Sequence, residues 1–276
     1  MSPISPYQER FEQALARIEP LMGEESRLRE ACLYSLEAGG KRIRPALVYM
    51  VADALGGKGG VDEAALSIEL LHTASLIADD LPCMDDDEMR RGRPTLHCAF
   101  DETIAYLASY ALIGAGYELL GIACESRPEV APLALKQVAA STGIRGISGG
   151  QYLDLYHPEQ AMEAVEMKTA ALFESSLVLG WLFGGGDIRC LPQVSSAGKR
   201  LGVAFQLLDD LLDLDQDREK GSLNLALAWG VERTAERFHR EHAALLRELS
   251  ALRIDAEPLL NLLATFAEEV DAFSLL

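Results

Sequence analysis

Apolar residues recur every three or four positions along almost the whole chain, and no run of alternating β-branched residues interrupts them. That period belongs to the helix, where side chains three and four apart share one face. Tyr7, Phe11, Leu15, Ile18 and Leu21–Met22 carry it behind Pro3 and Pro6, which suit a helix start. The spacing predicts helices over about Glu24–Ala38, stopped by Gly39-Gly40, and over Ala46–Leu55, with Pro45 at a first helical position. Val61–Asp80 follows, closed by Pro82, then Glu102–Cys124, Val130–Ser141, Gln160–Gly184, Ser195–Asp213, Val231–Leu252 and a last one near Pro258–Phe273. No Asn-Gly hairpin turn, Pro/Ser-rich linker or internal repeat of about 20–50 residues breaks the pattern. The fold expected is all-α, a single large helical bundle around a central cavity, with residues 1–276 forming one domain.

Charge narrows the partners. Against 43 Asp+Glu stand only 25 Lys+Arg, a net charge of −18, which argues against nucleic acid because phosphate binding needs a basic field. Cys32, Cys83, Cys98, Cys124 and Cys190 are scattered without a C-x-x-C pair and read as reduced thiols. No basic leader with an apolar stretch opens the chain, so the expectation is a cytoplasmic protein. Residues Thr103–Tyr117 and Leu177–Gly186 are uncharged, but shorter than the roughly 18–20 residues of a membrane span, and read as core helices.

The chemistry concentrates in Asp79-Asp80-Leu81-Pro82-Cys83-Met84-Asp85-Asp86-Asp87-Glu88, six carboxylates at the C-terminal end of an apolar helix. Negative charge there opposes the helix dipole by ~0.3–1 kcal/mol per group. Such a cluster is either a solvated acidic turn or a cation site, and oxygen ligands without His or Cys select Mg²⁺ or Ca²⁺. A second cluster, Asp209-Asp210-Leu211-Leu212-Asp213, lies inside the run Val203-Ala204-Phe205-Gln206-Leu207-Leu208. Asp209 and Asp213 share a helix face at i and i+4, where like charges repel. Two such helices aimed at one cavity suit Mg²⁺ shared with a diphosphate, since this ion binds a few carboxylates and completes its shell with phosphate and water.

Two basic islands complete the pattern: Gly39-Gly40-Lys41-Arg42-Ile43-Arg44-Pro45 and Arg90-Arg91-Gly92-Arg93. Arginine forks fit phosphate oxygens, and glycine lets backbone amides approach an anion. The plainer reading is that Arg90 and Arg91 only neutralise the acidic run before them.

Taken in order, the Gly39–Pro45 island, the D-D-x4-D segment with Arg90-Arg91-Gly92, Pro94-Thr95-Leu96-His97, Lys168-Thr169, and Phe205-Gln206 before D-D-x-x-D resemble the trans-isoprenyl diphosphate synthases. The resemblance runs from about Leu28 to Gly230. It implies an all-α homodimer that joins isopentenyl diphosphate head to tail to an allylic diphosphate such as dimethylallyl, geranyl or farnesyl diphosphate. It assigns Asp79, Asp80, Asp85, Asp209 and Asp213 to Mg²⁺, Arg90 to the allylic diphosphate, and Lys41, Arg44, His72 and Arg91 to isopentenyl diphosphate. Lys168, Thr169 and Gln206 match groups at the reacting centre, and Lys220 matches one of two loop lysines. His72 alone would read as a core histidine; only the resemblance promotes it.

The chain departs from the family pattern at three places. Ala78 stands where many relatives carry His, Tyr110 stands where Gly-Asp-Ala-Leu is usual, and the stretch after Asp213 is short with Lys220 as its single lysine. These keep a second function open, a catalytically weak regulatory subunit. A terpene cyclase shares the first acidic motif but usually has an Asn/Ser/Glu-based second one. Ala74 and Ser75 lie one turn before the first Asp pair, where a bulky residue blocks elongation in shorter-chain relatives. Small residues there open one helical turn, ~5.4 Å, so geranylgeranyl diphosphate is favoured over farnesyl diphosphate. His239-Arg240-Glu241-His242 has the wrong spacing for a zinc helix, Tyr106, Tyr110 and Tyr117 read as packing, and Cys83 is too soft a ligand for Mg²⁺.

Overall fold

The structure, a computed structural model, describes residues 2–57, 59–220 and 224–274, the side chains of Lys220 and Ser274 excepted. Helix α1 (Ser5–Leu15) carries Pro6 as its second residue, and α2 (Arg27–Leu36) is capped by Ser26, whose Oγ accepts the Arg29 N–H at 3.2 Å. In α3 (Ile43–Ala54) Pro45 is the third residue rather than the first. It is tolerated there because first-turn N–H groups lack helical partners in any case. Next come α4 (Val61–Asp79), the short α5 (Leu96–Ala99) and α6 (Glu102–Ser126), the last capped by Asp101 at 2.8 Å from the Ile104 N–H.

Then follow α7 (Ala131–Thr142), α8 (Ile147–Tyr156), α9 (Ala161–Val165), α10 (Ala171–Gly184) and α11 (Leu191–Leu212). The chain closes with α12 (Leu214–Lys220), α13 (Leu225–Trp229), α14 (Val231–Leu252) and α15 (Glu257–Ser274). A short antiparallel ladder, β1 (Met89–Arg90) with β2 (Arg93–Pro94), is the one strand pairing among the described residues. Its two-residue loop, Arg91 and Gly92, has φ of 54° and 77°, the all-positive turn that suits the twist of a hairpin.

Helix α10 is the axis of the bundle. Every residue in it except Glu174 is buried, and it packs on α3, α4, α7 and α11. Gly180 permits this: a β-carbon there would sit 2.7 Å from the Val48 carbonyl oxygen of α3. One hydrophobic cluster extends from Ile4 to Val270. Removing a fully buried ring such as Phe173 costs ~3–5 kcal/mol.

Four features differ from the periodicity. The expected helix over Gln160–Gly184 is broken, with α9 running into a single π turn, Glu166–Ala170, before α10. Helix α8 escapes the pattern because Gly149 and Gly150 depress helix propensity. Gly150 is required by packing, since a β-carbon on it would lie 2.7 Å from Lys168 Cα. The stretch after Asp213 continues as α12 rather than as a loop, and the Lys220 side chain lies outside the described residues. Helix α6 is long and apolar enough to cross a membrane, although its uncharged core alone is shorter. It is half buried, against α4 along its inner face.

Candidate active site

The C-terminal end of α4 carries Asp79 and Asp80, only 8% and 4% exposed. Behind them the chain curls back, the Asp85 N–H donating to the Asp79 carbonyl at 2.9 Å, so that Asp85 returns beside the pair. Gln151 of α8 reaches Asp85 at 3.5 Å. Lys168 Nζ lies 3.9 Å from Asp79 and 2.6 Å from Asp154 of α8. Burial pushes the Asp79 carboxyl up to about 6; Lys168 works against this and Asp85 with it. Burial also raises Asp80, although Arg90 donates to it at 2.6 Å.

The second acidic motif ends α11. Asp209 is partly buried, and Asp213 is the C-cap, its N–H donating to the Asp209 carbonyl at 2.9 Å. Burial raises the Asp209 carboxyl, against the pull of Lys41, whose Nζ stands 3.6 Å away. Asp210 points elsewhere and is 2% exposed. It accepts from Gln206 Nε2 at 2.7 Å and from the Leu225 N–H at 2.8 Å, and burial holds its carboxyl at about 6.

Between the motifs the π turn presents Lys168 and Thr169. A π turn inserts one extra residue and turns side chains that a regular helix would face differently, a device frequent at functional sites. The Thr169 hydroxyl donates to Gln206 Oε1 at 2.7 Å, and that pair lines a small recess with Lys168 and Asp154.

Lys41, Arg44, His72 and Arg91 converge on a pocket of about 270 Å³ that also meets Phe205 and Asp209. The Arg44 Nη1 donates to His72 Nε2 at 3.1 Å, so the imidazole accepts there and is neutral. Burial and the surrounding arginines hold His72 well below its usual value. Arg44 Nε is buried without a partner, and burial lowers this guanidinium to about 10. An unpaired buried donor of this kind fits an anion. Arg91 donates to the Gly39 carbonyl and lies across Gly40, where a β-carbon would meet its guanidinium carbon at 2.5 Å.

A cavity of about 530 Å³ opens at Asp79 and runs along Ala78, Ser75, Ala74 and Leu71, successive positions of one α4 face. Ser109 and Ile113 of α6 line it beside α4, the Ser109 hydroxyl donating to the Ala74 carbonyl at 2.9 Å, while Ile147, Gln151 and Tyr152 line it from α8 and Thr142, bonded to the Tyr117 hydroxyl at 2.8 Å, also borders it.

Residues 25–223 match the family model described as polyprenyl synthetase. The chain belongs to the polyprenyl synthetase family. It is 35% identical over 259 residues to geranylgeranyl pyrophosphate synthase 4 of Arabidopsis thaliana, covering 84% of this chain and 68% of that one. Chloroplastic geranylgeranyl pyrophosphate synthase 7 of the same plant is 36% identical, over 77% of this chain and 62% of its own length. The chain thus spans about two thirds of these plant relatives. In fold it matches a geranyltransferase from Legionella pneumophila with a TM-score of 0.85 and 29% identity, over 96% and 95% of the two chains. A Helicobacter pylori geranyltransferase solved with magnesium and isoprenyl diphosphate matches at 0.73 and 32% identity, over 98% and 96%.

For this polyprenyl synthetase the residues named from sequence fall into three groups. Asp79 borders the cavity that Ala74 and Ser75 line, with Asp85 and Lys168 close to it, while Thr169 and Gln206 line the neighbouring recess with Lys168, and Asp80 pairs with Arg90. Lys41, Arg44, His72 and Arg91 share the basic pocket with Asp209. Arg90 pairs with Asp80, and with Asp87 at 3.4 Å. Tyr106 and Tyr110 are not packed inside; they are 53% and 60% exposed and bond each other at 3.1 Å. Cys83 stands at the cavity rim, His239 pairs with Asp271, and Glu241 binds Arg200 and Arg237.

Sequence reasoning passed over Gln151, Asp154 and Asp210. The first two occupy one face of α8 at i and i+3, a signal hidden by the glycines ahead of them. Asp210 was counted with its neighbours, although one position along a helix turns a side chain ~100° away.

Among the described residues no three carboxylates form a closed metal cage. The donor set nevertheless fits Mg²⁺, which retains water and phosphate oxygens rather than seeking a complete protein shell. The dehydrated, mutually repelling carboxylates at both motifs are the observation that favours a cation there. The raised groups have a thermodynamic signature. Asp79 and Asp210 bind protons more tightly folded, about 6 against 3.8 unfolded, so cation-free protein should lose stability as pH rises from about 4 to 6. Thermal melts across that window read this directly, and Mg²⁺ with diphosphate should flatten the decline; a flat cation-free profile would contradict the assignment.

Proposed function

We propose that this trans-prenyltransferase condenses isopentenyl diphosphate with an allylic diphosphate in head-to-tail elongation and releases geranylgeranyl diphosphate as its main product. The observation that carries the reading is the alignment on one α4 face of Asp79, at the mouth, with Ala78, Ser75 and Ala74 lining the cavity behind it. The carboxylates of Asp79, Asp80, Asp85, Asp209 and Asp213 would hold Mg²⁺. Bound with substrate, that ion supplies positive charge for the departing diphosphate.

The chain's own groups do the rest. Lys168 and Arg90 place permanent positive charge at the mouth, where negative charge grows as the allylic carbon–oxygen bond breaks. The Thr169 and Gln206 oxygens, fixed by their mutual bond and by Asp210, face the positive allylic carbon with oriented dipoles. Apolar walls keep water from that cation. Lys41, Arg44 and Arg91 hold the isopentenyl diphosphate, whose double bond forms the new carbon–carbon bond. The double bond is the nucleophile and the released diphosphate takes the proton, so the chain needs neither a nucleophile nor a general base of its own.

Homodimer assembly is part of the proposal. The outer face of α6 exposes Tyr106, Leu107 and Tyr110, with no charge between Thr103 and Tyr117. In a chain of net charge −18, an uncharged face is where two copies approach at least electrostatic cost. Sedimentation velocity reads this assembly, and a monomer at micromolar concentration contradicts it. The five cysteines are free, in keeping with a reducing cytoplasm.

The deciding experiment incubates purified protein with isopentenyl diphosphate, Mg²⁺ and each allylic starter, with products separated by chain length. Geranylgeranyl diphosphate supports the whole reading, and farnesyl diphosphate retains the reaction but not the product. No product with any starter overturns it in favour of a regulatory subunit.

A further inference from the structure

Arg42 sits between Lys41 and Arg44 and borders the same basic pocket, yet its side chain is buried among helices, only 2% exposed. Its Nη1 donates to Glu69 of α4 at 2.8 Å, its Nε to Glu12 of α1 at 2.9 Å, and its Nη2 to the Leu36 carbonyl of α2 at 2.5 Å. Its guanidinium also lies 5.1 Å from the Phe11 ring centre. Four helices therefore meet through one side chain, since Arg42 is itself the N-cap of α3.

Two features make this more than a core ion pair. Arg42 has φ 47° and ψ 33°, the left-handed region that non-glycine residues rarely occupy and keep only when their surroundings enforce it. That backbone twist separates its neighbours: Lys41 extends toward Asp209 at 3.6 Å, and Arg44 toward His72 at 3.1 Å. Glu69, moreover, is a carboxylate 2% exposed in the wall of the same pocket. Unpaired, it would repel any diphosphate entering there; Arg42 supplies its counter-charge. Helix α1 adds a second hold, Gln8 donating to the Lys41 carbonyl at 2.8 Å. Both Gln8 and Glu12 lie outside residues 25–223 that match the family.

We propose that Arg42, locked by Glu69 and by Glu12 of α1, is the positioning residue of the isopentenyl diphosphate pocket, setting the turn that aims Lys41 and Arg44 and neutralising the carboxylate beneath them. The inference rests on the pocket assignment above. Arg42→Lys keeps a positive charge but cannot reach three partners with a rigid fork. It should raise the KM for isopentenyl diphosphate by about 10- to 100-fold, the scale of an ångström-sized misplacement. The KM for the allylic substrate should stay within about twofold, because Asp79 and Lys168 are held by other contacts. Parallel changes in both KM values, or none, would overturn the proposal.

Should Arg42→Lys not fold, the Arg42→Met/Glu69→Met pair replaces both buried charges with apolar groups, a change that folds usually tolerate. It must show the same selective loss, and wild-type affinity for isopentenyl diphosphate in it overturns the positioning role. Calorimetric titration with inorganic diphosphate in the absence of divalent cations isolates the basic pocket from the acidic motifs. Weaker binding by the variants than by the unaltered chain supports the role even if no prenyl transfer is found, and equal binding overturns it.

Discussion

Asp79→Asn should lower kcat by at least about 10²-fold, the loss seen when one preorganised electrostatic group is removed from a reacting centre, while making the protein more stable. Both effects have one cause. A carboxyl held at about 6 instead of 3.8 costs the folded state up to ~3 kcal/mol at neutral pH. The amide removes that cost, and Lys168 keeps its 2.6 Å partner Asp154, so no buried cation is stranded. Differential scanning calorimetry at pH 7 should therefore show a higher Tm for the variant without metal, and single-turnover kinetics a slower chemical step. A variant retaining more than a tenth of the wild-type rate would remove Asp79 from the cation site. Lower stability with lost activity would mean that the carboxylate serves the fold instead.

Ala74→Tyr should shorten the main product by one five-carbon unit. Ala74 is 1% exposed and lines the cavity, while its carbonyl accepts from Ser109 Oγ of α6 at 2.9 Å. That bond and the α4–α6 packing hold the backbone in place, so the added ring must occupy the cavity. Ala74 lies five residues from Asp79 along the same helix, ~7.5 Å from the mouth, within about one prenyl unit of it. Product analysis with dimethylallyl and geranyl starters is the check. Farnesyl diphosphate replacing geranylgeranyl diphosphate is the expected outcome, and an unchanged distribution would sink the chain-length argument.

The parts of this molecule legible in the chain are those that depend on spacing. Period and breakers alone indicated α4, α6, α11 and α14, whereas the expected helix over Gln160–Gly184 ran through the break before α10. The two acidic motifs stood out because carboxylates are costly where Leu and Phe surround them. Helix α8 did not, since Gly149 and Gly150 read locally as a loop although tertiary packing against Lys168 demands them. The π turn was equally hidden, since no residue pattern within Glu166–Ala170 marks it in the sequence. Asp154 and Asp210 acquire meaning only once Lys168 and Gln206 are seen beside them.

The grip of α1 on the basic turn bears on how such proteins diverge. Gln8 and Glu12 sit on a partly exposed helix outside the family-defining segment, so drift at these positions meets little resistance from the core. Two descendants with letter-identical motifs can then part in substrate affinity through changes that a motif comparison never reads. Trimming the chain to its matching segment would retain every motif residue and discard the brace behind Lys41 and Arg42.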